Sequence, residues 1–218
     1  MDEELRTIII ASIVLGIVFS IADIRNAQEL LGLLVKAIKF FLIAFISLLF
    51  HNFIQKKYAK HIGATTKLVL WDSKKKIKFF RKEMKFPLGI FLPPVISLLS
   101  AGQIIFASAT STEIEVHPSH RLGRKFVSLT EFERAKVAVL APVVHILIAI
   151  ILNTTGIALL QDIAHLNTLL AVSTMLPFPG VLGSTVFFGA KPFYIFSTTF
   201  ILVLCNLFLF SNFILFRL

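Results

Sequence analysis

Residues 30–55 read LLGLLVKAIKFFLIAFISLLFHNFIQ. The run carries Lys36 and Lys39 in its first half, no acid, and a polar group His51-Asn52 with Gln55 at its end. About 20 helical residues cross the roughly 30 Å hydrocarbon core of a bilayer, so Leu30 to Ile54 is predicted to be a transmembrane helix. A lysine costs about 2.5–3.5 kcal/mol at mid-membrane, so Lys36 and Lys39 are expected to snorkel to one interface. From Lys39 to His51 is about 18 Å along a helix. His51 then lies inside the bilayer, roughly 10 Å short of the far face. Polar side chains at that depth face a cavity or a partner. A histidine hydrogen-bonded to a neighbouring helix, with no chemistry, is the plainer expectation.

The rest of the chain agrees with that helix. Of 218 residues 56% are apolar and 16% charged, with 23 Phe, and the mean hydropathy is +0.86. A soluble domain has about 45–50% apolar residues and about 25% charge, which excludes a soluble enzyme. Uncharged runs place further spans near 7–24, 86–110, 131–160, 163–188 and 192–216. Together with 30–54 they predict a single all-α polytopic membrane domain over 1–218, with about six transmembrane helices. The acidic flank Asp2-Glu3-Glu4 marks the first as a retained helix rather than a signal peptide. Pro87, Pro93-Pro94 and Gly102 make the third either kinked or a re-entrant pair of short segments. Ser128 to Glu131 and Thr130 to Glu133 both fit a capping box ahead of the fourth. Thr66–Trp71 (TKLVLW) and Thr112–His117 (TEIEVH) alternate and predict short membrane-associated strands, the second an edge strand.

The net charge is +10, and the stretch 55–85 alone holds eleven Lys and Arg. An excess of Lys and Arg in short loops marks the cytoplasmic side. With six spans, both termini and the basic loop 55–85 are expected there, against the anionic headgroups of the lipid bilayer. Topology accounts for the charge, and no nucleic-acid partner is expected. Cys205 stands alone, so no internal disulfide forms.

The surroundings of His51 resemble a family. His51-Asn52-Phe53-Ile54-Gln55, then Tyr58-Ala59-Lys60-His61-Ile62-Gly63-Ala64, resembles the HExxH and A-x-K/R-x-x-G segments of site-2 proteases, the intramembrane zinc metalloproteases. Gly63 to Trp71 is similar to the strand and tryptophan that follow in archaeal members. Gly102 to Ala107 resembles their glycine and phenylalanine-alanine segment. Leu140-Ala141-Pro142-Val143-Val144-His145 is similar to the A-G-P-x-x-N helix, and Leu176 to Phe187 to the L-P-I-P-P-L-D-G segment. The matches run in order over roughly residues 40–190.

The resemblance implies a site-2-protease-like bundle, and its departures imply the chemistry. The family binds zinc through two histidines of HExxH and the aspartate of L-D-G, with the glutamate as general base. Carried over, these positions hold His51, Gln55, Leu182 and Asn52 in turn. A catalytic zinc takes three protein ligands plus water, and an amide accepts no proton at neutral pH. No catalytic residue, no bound metal and no cofactor are therefore expected.

His145 stands where the family has asparagine. With His51, and Gln55 or Asn153 as a third ligand, it is a candidate for a rearranged metal site, and zinc is then the expected ion. His117 and His120 read as a solvated turn, and His61 and His165 as exposed. The break at Pro177, Pro179, Gly180 and Gly183 is expected to keep a groove between helices. The expected function is a catalytically inactive relative that binds transmembrane or membrane-associated partners there. The alternatives are an active protease with a rearranged site, and a small transporter or channel component. No Asp or Glu lies deep in a span, which weakens the last.

Overall fold

The computed structural model describes residues 3–22, 30–72, 77–79, 82–84, 86–116 and 128–215. About 74% of the described residues are helical. Among the described residues, three helices are long and apolar enough to cross a membrane: α1 (Glu3–Ala22), α2 (Leu30–His61) and α4 (Glu131–Asn153). The other helices are α3 (Leu88–Leu99), α5 (Ala158–Met175), α6 (Leu182–Gly189) and α7 (Lys191–Leu215).

α1 and α2 run antiparallel and close together. Gly16 permits this, because a Cβ there would lie 2.7 Å from the Ala37 carbonyl oxygen. Phe19 stacks on Phe40 with ring centroids 5.0 Å apart, and Lys56 pairs with Glu4. Towards the other end of α2, Lys39 bonds Asp162 of α5 at 2.6 Å. The two ion pairs stand about 25 Å apart along α2. Both are partly exposed, so they position the helices more than they stabilise them, each contributing about 1 kcal/mol or less.

The basic stretch 55–85 differs from the loop expected there. α2 continues through it to His61, and β1 (Ala64–Leu70) follows at once. A short hairpin of β2 (Ile77–Phe79) and β3 (Lys82–Met84) comes next, pairing Ile77 with Met84. β1 pairs antiparallel with β4 (Thr110–Val116), from Ala64 opposite Val116 to Leu70 opposite Thr110. These are the two alternating stretches predicted as strands. Lys67 of β1 pairs with Glu3, whose carboxylate holds the ammonium above the ordinary lysine range.

Segment 86–110 is a hairpin rather than a through-going helix. α3 is about 18 Å long and ends in a turn where Ala101 and Gly102 take φ of 49° and 80°. The chain then returns in extended form over residues 105–109. Both feet of the hairpin meet at Trp71: Gly89 N–H donates to the Trp71 carbonyl (2.7 Å), and Trp71 N–H donates to that of Ala109 (3.1 Å). Gly89 is needed for this approach. A Cβ would sit 2.8 Å from the Ala109 carbonyl carbon and nearer still to its oxygen. The returning arm is buried from Phe106 to Ala109, and Ala107 N–H is satisfied by Ser173 Oγ at 2.9 Å. Ser97 at the far end of α3 reaches the Val18 carbonyl of α1.

Beyond it, Thr130 caps α4 with the reciprocal Glu133 bonds of a capping box, the second of the two candidates. α4 stops at Asn153 rather than near 160, and the expected span 163–188 is two helices, α5 and α6, divided at 176–181. Gly183 closes that turn, since a Cβ would meet the carbonyls of Met175 and Leu176. α7 docks its first turn through Tyr194 Oη to the Met175 carbonyl at 3.1 Å.

Of the four apolar clusters among the described residues, two are large. One joins Leu15, Phe19, Ala44, Leu48, Ala107 and Leu170 across α1, α2, the hairpin and α5. The other joins Ala138, Ile146, Met175, Leu182, Val186 and Ile201 across α4 to α7. A polar seam of α2, α4 and α5 side chains lies where these helices meet.

Candidate functional site

The seam brings His51, His145 and Asn167 together. α2 and α4 are antiparallel, so His51 meets His145 while Gln55, one turn on, meets Val137. α5 runs parallel to α2 and adds Asn167 beside Ser47. The two imidazoles stand edge to face, with centroids 4.8 Å apart and planes at 71°. Both are buried, His51 at 2% exposure and His145 at 0%.

Asn167 sets the tautomer of His145. Its Nδ2 donates to the Ile163 carbonyl (2.8 Å) and to Ser47 Oγ (3.0 Å), so its Oδ1 is left as the acceptor. His145 Nδ1 lies 2.7 Å from that oxygen and must carry the proton. Nε2 therefore presents a bare lone pair. It has no hydrogen-bond partner, and neither do both ring nitrogens of His51 nor Oδ1 of Asn52. A buried polar group left unpaired costs about 1–3 kcal/mol, and such groups are few in folded proteins.

Gln55 is the opposite case. Fully buried, it donates from Nε2 to the Val137 carbonyl (2.9 Å) and accepts at Oε1 from Thr112 Oγ1 (3.1 Å). It is a strut that ties α2 to α4 and β4. Leu182, the first residue of α6, packs in the apolar cluster with Ala138, Val139 and Val186. Asn153 ends α4, about 12 Å along the helix from His145, too far to join it.

A catalytic zinc does not fit these residues. The seam offers two imidazoles, and among the described residues no three His, Cys, Asp or Glu side chains gather to hold a metal. The Asn52 amide accepts no proton at neutral pH. His61 and His165 are exposed as expected, His165 against the edge of Phe19. His117 and His120 lie outside the described residues.

The Pro177–Gly180 break adjoins a cavity of about 320 Å³, lined by Trp71, Asp72, Ser111, Glu113, Gly180 and Thr185 among others. Pro177, Phe178 and Pro179 are exposed, and Gly183 is buried against Met175. Trp71 Nε1 donates to the Pro179 carbonyl at 3.0 Å, and its ring stacks on Phe178. Gly180 has φ +90, where a Cβ would meet the indole. Thr112, which holds Gln55, also lines this cavity, so the cavity and the seam share a wall.

Asn167, Ser47 and Thr112 escaped the sequence reading. The available signal was an amide within the mostly apolar run of α5, since polar groups placed so are retained for a partner. Comparison with family models, curated proteins and solved structures finds no match to this chain.

Proposed function

We propose that this chain is a multi-pass membrane protein that binds transmembrane or membrane-associated partner segments without cleaving them, on a fold similar to that of site-2 proteases. The supporting observation is Gln55. The position that the resemblance assigns to a zinc ligand is engaged at both ends in structural hydrogen bonds. Leu182, at the position of the third ligand, belongs to the apolar packing. The cavity beside Gly180 is the partner groove, next to β4, whose only strand partner among the described residues is β1. An extended segment added there gains main-chain hydrogen bonds.

The test uses a single-span peptide with a Gly-Pro interruption, co-reconstituted in vesicles with the full chain carrying a photocrosslinker at Thr185 or at lipid-facing Leu42. An adduct with intact peptide is expected at Thr185 and not at Leu42. Zinc-dependent cleavage of the peptide would overturn the non-hydrolytic reading, and equal adducts at both positions would overturn the groove.

In this proposal α1, α2, α4, α5 and α7 cross the bilayer, and segment 86–110 enters and leaves on one side. Its support is the meeting of both hairpin feet at Trp71 and an α3 too short for a core of about 30 Å. Five crossings place the termini on opposite faces, which replaces the expectation of two cytoplasmic ends. The N-terminus stays with the basic end, where Lys56, Lys60 and Lys67 attract anionic headgroups. In a Cys205→Ser background, an impermeant maleimide applied to intact cells should label a cysteine added at the C-terminus and spare one added at the N-terminus. Protection of both ends would restore six crossings.

A further inference from the structure

We infer that His51 and His145 form a two-imidazole site for a soft monovalent metal ion of the copper(I) class. The inference stands apart from the partner-binding proposal, because it uses the seam and not the groove. His145 Nε2 offers a lone pair whose direction is held by Asn167, itself anchored on Ile163 and Ser47. That is the arrangement by which a metal-binding histidine is usually oriented: the other ring nitrogen donates to an oxygen. Across from it, His51 holds no hydrogen bond at either nitrogen, so turning its ring towards Nε2 breaks none. Three imidazole nitrogens of this facing pair are thus buried without partners.

Charge selects the class of ion. No third His, Cys, Asp or Glu joins the pair among the described residues, so no anionic ligand offsets a buried cation. The Born cost of burial rises with the square of the charge, making a divalent ion about four times as costly as a monovalent one of equal size. Zinc also requires three or four donors. Copper(I) and silver(I) accept two, and imidazole nitrogen suits copper.

The experiment uses the full chain with Cys205→Ser, purified in detergent and dialysed against silver(I), against copper(I) under ascorbate, and against zinc(II). Silver(I) and copper(I) should each be retained at about one per chain, and zinc(II) should not. His51→Gln and His145→Gln should abolish stoichiometric retention, and Asn167→Ala should weaken it by about 10–100-fold. X-ray absorption of the silver- or copper-loaded parent should show two nitrogen donors and no sulfur, a readout that does not depend on any variant folding. Failure of the parent to retain either ion, sulfur in its first coordination sphere, retention unchanged in both histidine variants, or equal retention of zinc would each overturn the site. The peptide crosslinking described above contains no added silver or copper, so the two proposals fail separately.

Discussion

Trp71→Ala is expected to destabilise the folded chain by about 3–5 kcal/mol, in the range of large aromatic truncations in packed cores. The indole is only 3% exposed and packs with Phe106, Val181 and Leu176. Its Nε1 is a donor to Pro179, 108 residues away in sequence. Truncation opens a void where β1, the hairpin and the turn before α6 meet. Trp71→Phe keeps most of the apolar contact and loses the hydrogen bond, so it should cost about 1–2 kcal/mol. Denaturant titration in mixed micelles, followed by circular dichroism, measures both. Equal costs for the two variants would show that the indole packing does not hold these elements together.

Gly89→Ala should be at least as damaging, with a cost above about 3 kcal/mol. Added methyl groups in packed cores usually cost about 1–3 kcal/mol, and more where the neighbour cannot yield. Here the neighbour is backbone: the new Cβ meets the Ala109 carbonyl on one side and lies 3.1 Å from Trp71 Cβ on the other. Neither can give way without breaking the Gly89–Trp71 or Trp71–Ala109 hydrogen bond. Gly32→Ala is the matched comparison. A Cβ at Gly32 meets nothing within 4 Å, and alanine in a helix stabilises by about 0.5–1 kcal/mol relative to glycine. The same titration reads both, and a Gly89→Ala cost below that of an ordinary surface change would remove the close approach from the account.

Local pattern made some of this fold legible. The uncharged run before His51 gives α2, Thr130 and Glu133 give the start of α4, and two alternating stretches give β1 and β4. Each of these signals is complete within a few neighbouring residues. The hairpin was not decidable in that way. Segment 86–110 has the composition of a crossing helix, and its feet are brought together by Trp71, which lies outside it. β2 and β3 were hidden for a different reason, since their lysine-rich sequence reads as solvated loop.

The same division holds at the seam. His51 was marked by its depth in an apolar helix, and His145 by the resemblance of Leu140–His145 to a segment that carries asparagine at that position. Asn167 acquires meaning only through His145, 22 residues earlier and on another helix. Gln55 looked like a degenerate ligand, and its role as a strut depends on Val137 and Thr112, 82 and 57 residues distant.

The buried return arm of the hairpin also sets an order of events during synthesis. Ala107 finds its hydrogen-bond partner in Ser173, 66 residues later in the chain. At a ribosomal rate of about 5–20 residues per second, that partner emerges roughly 3–13 s after Ala107 itself. During the interval the Ala107 N–H lacks this acceptor. The contact that satisfies the buried return arm is thus completed only once Ser173 has been made. Cells slowed in making residues 110–175 should hold this protein longer in a form that quality control can recognise, which gives proteolysis of nascent chains a direct bearing on its abundance.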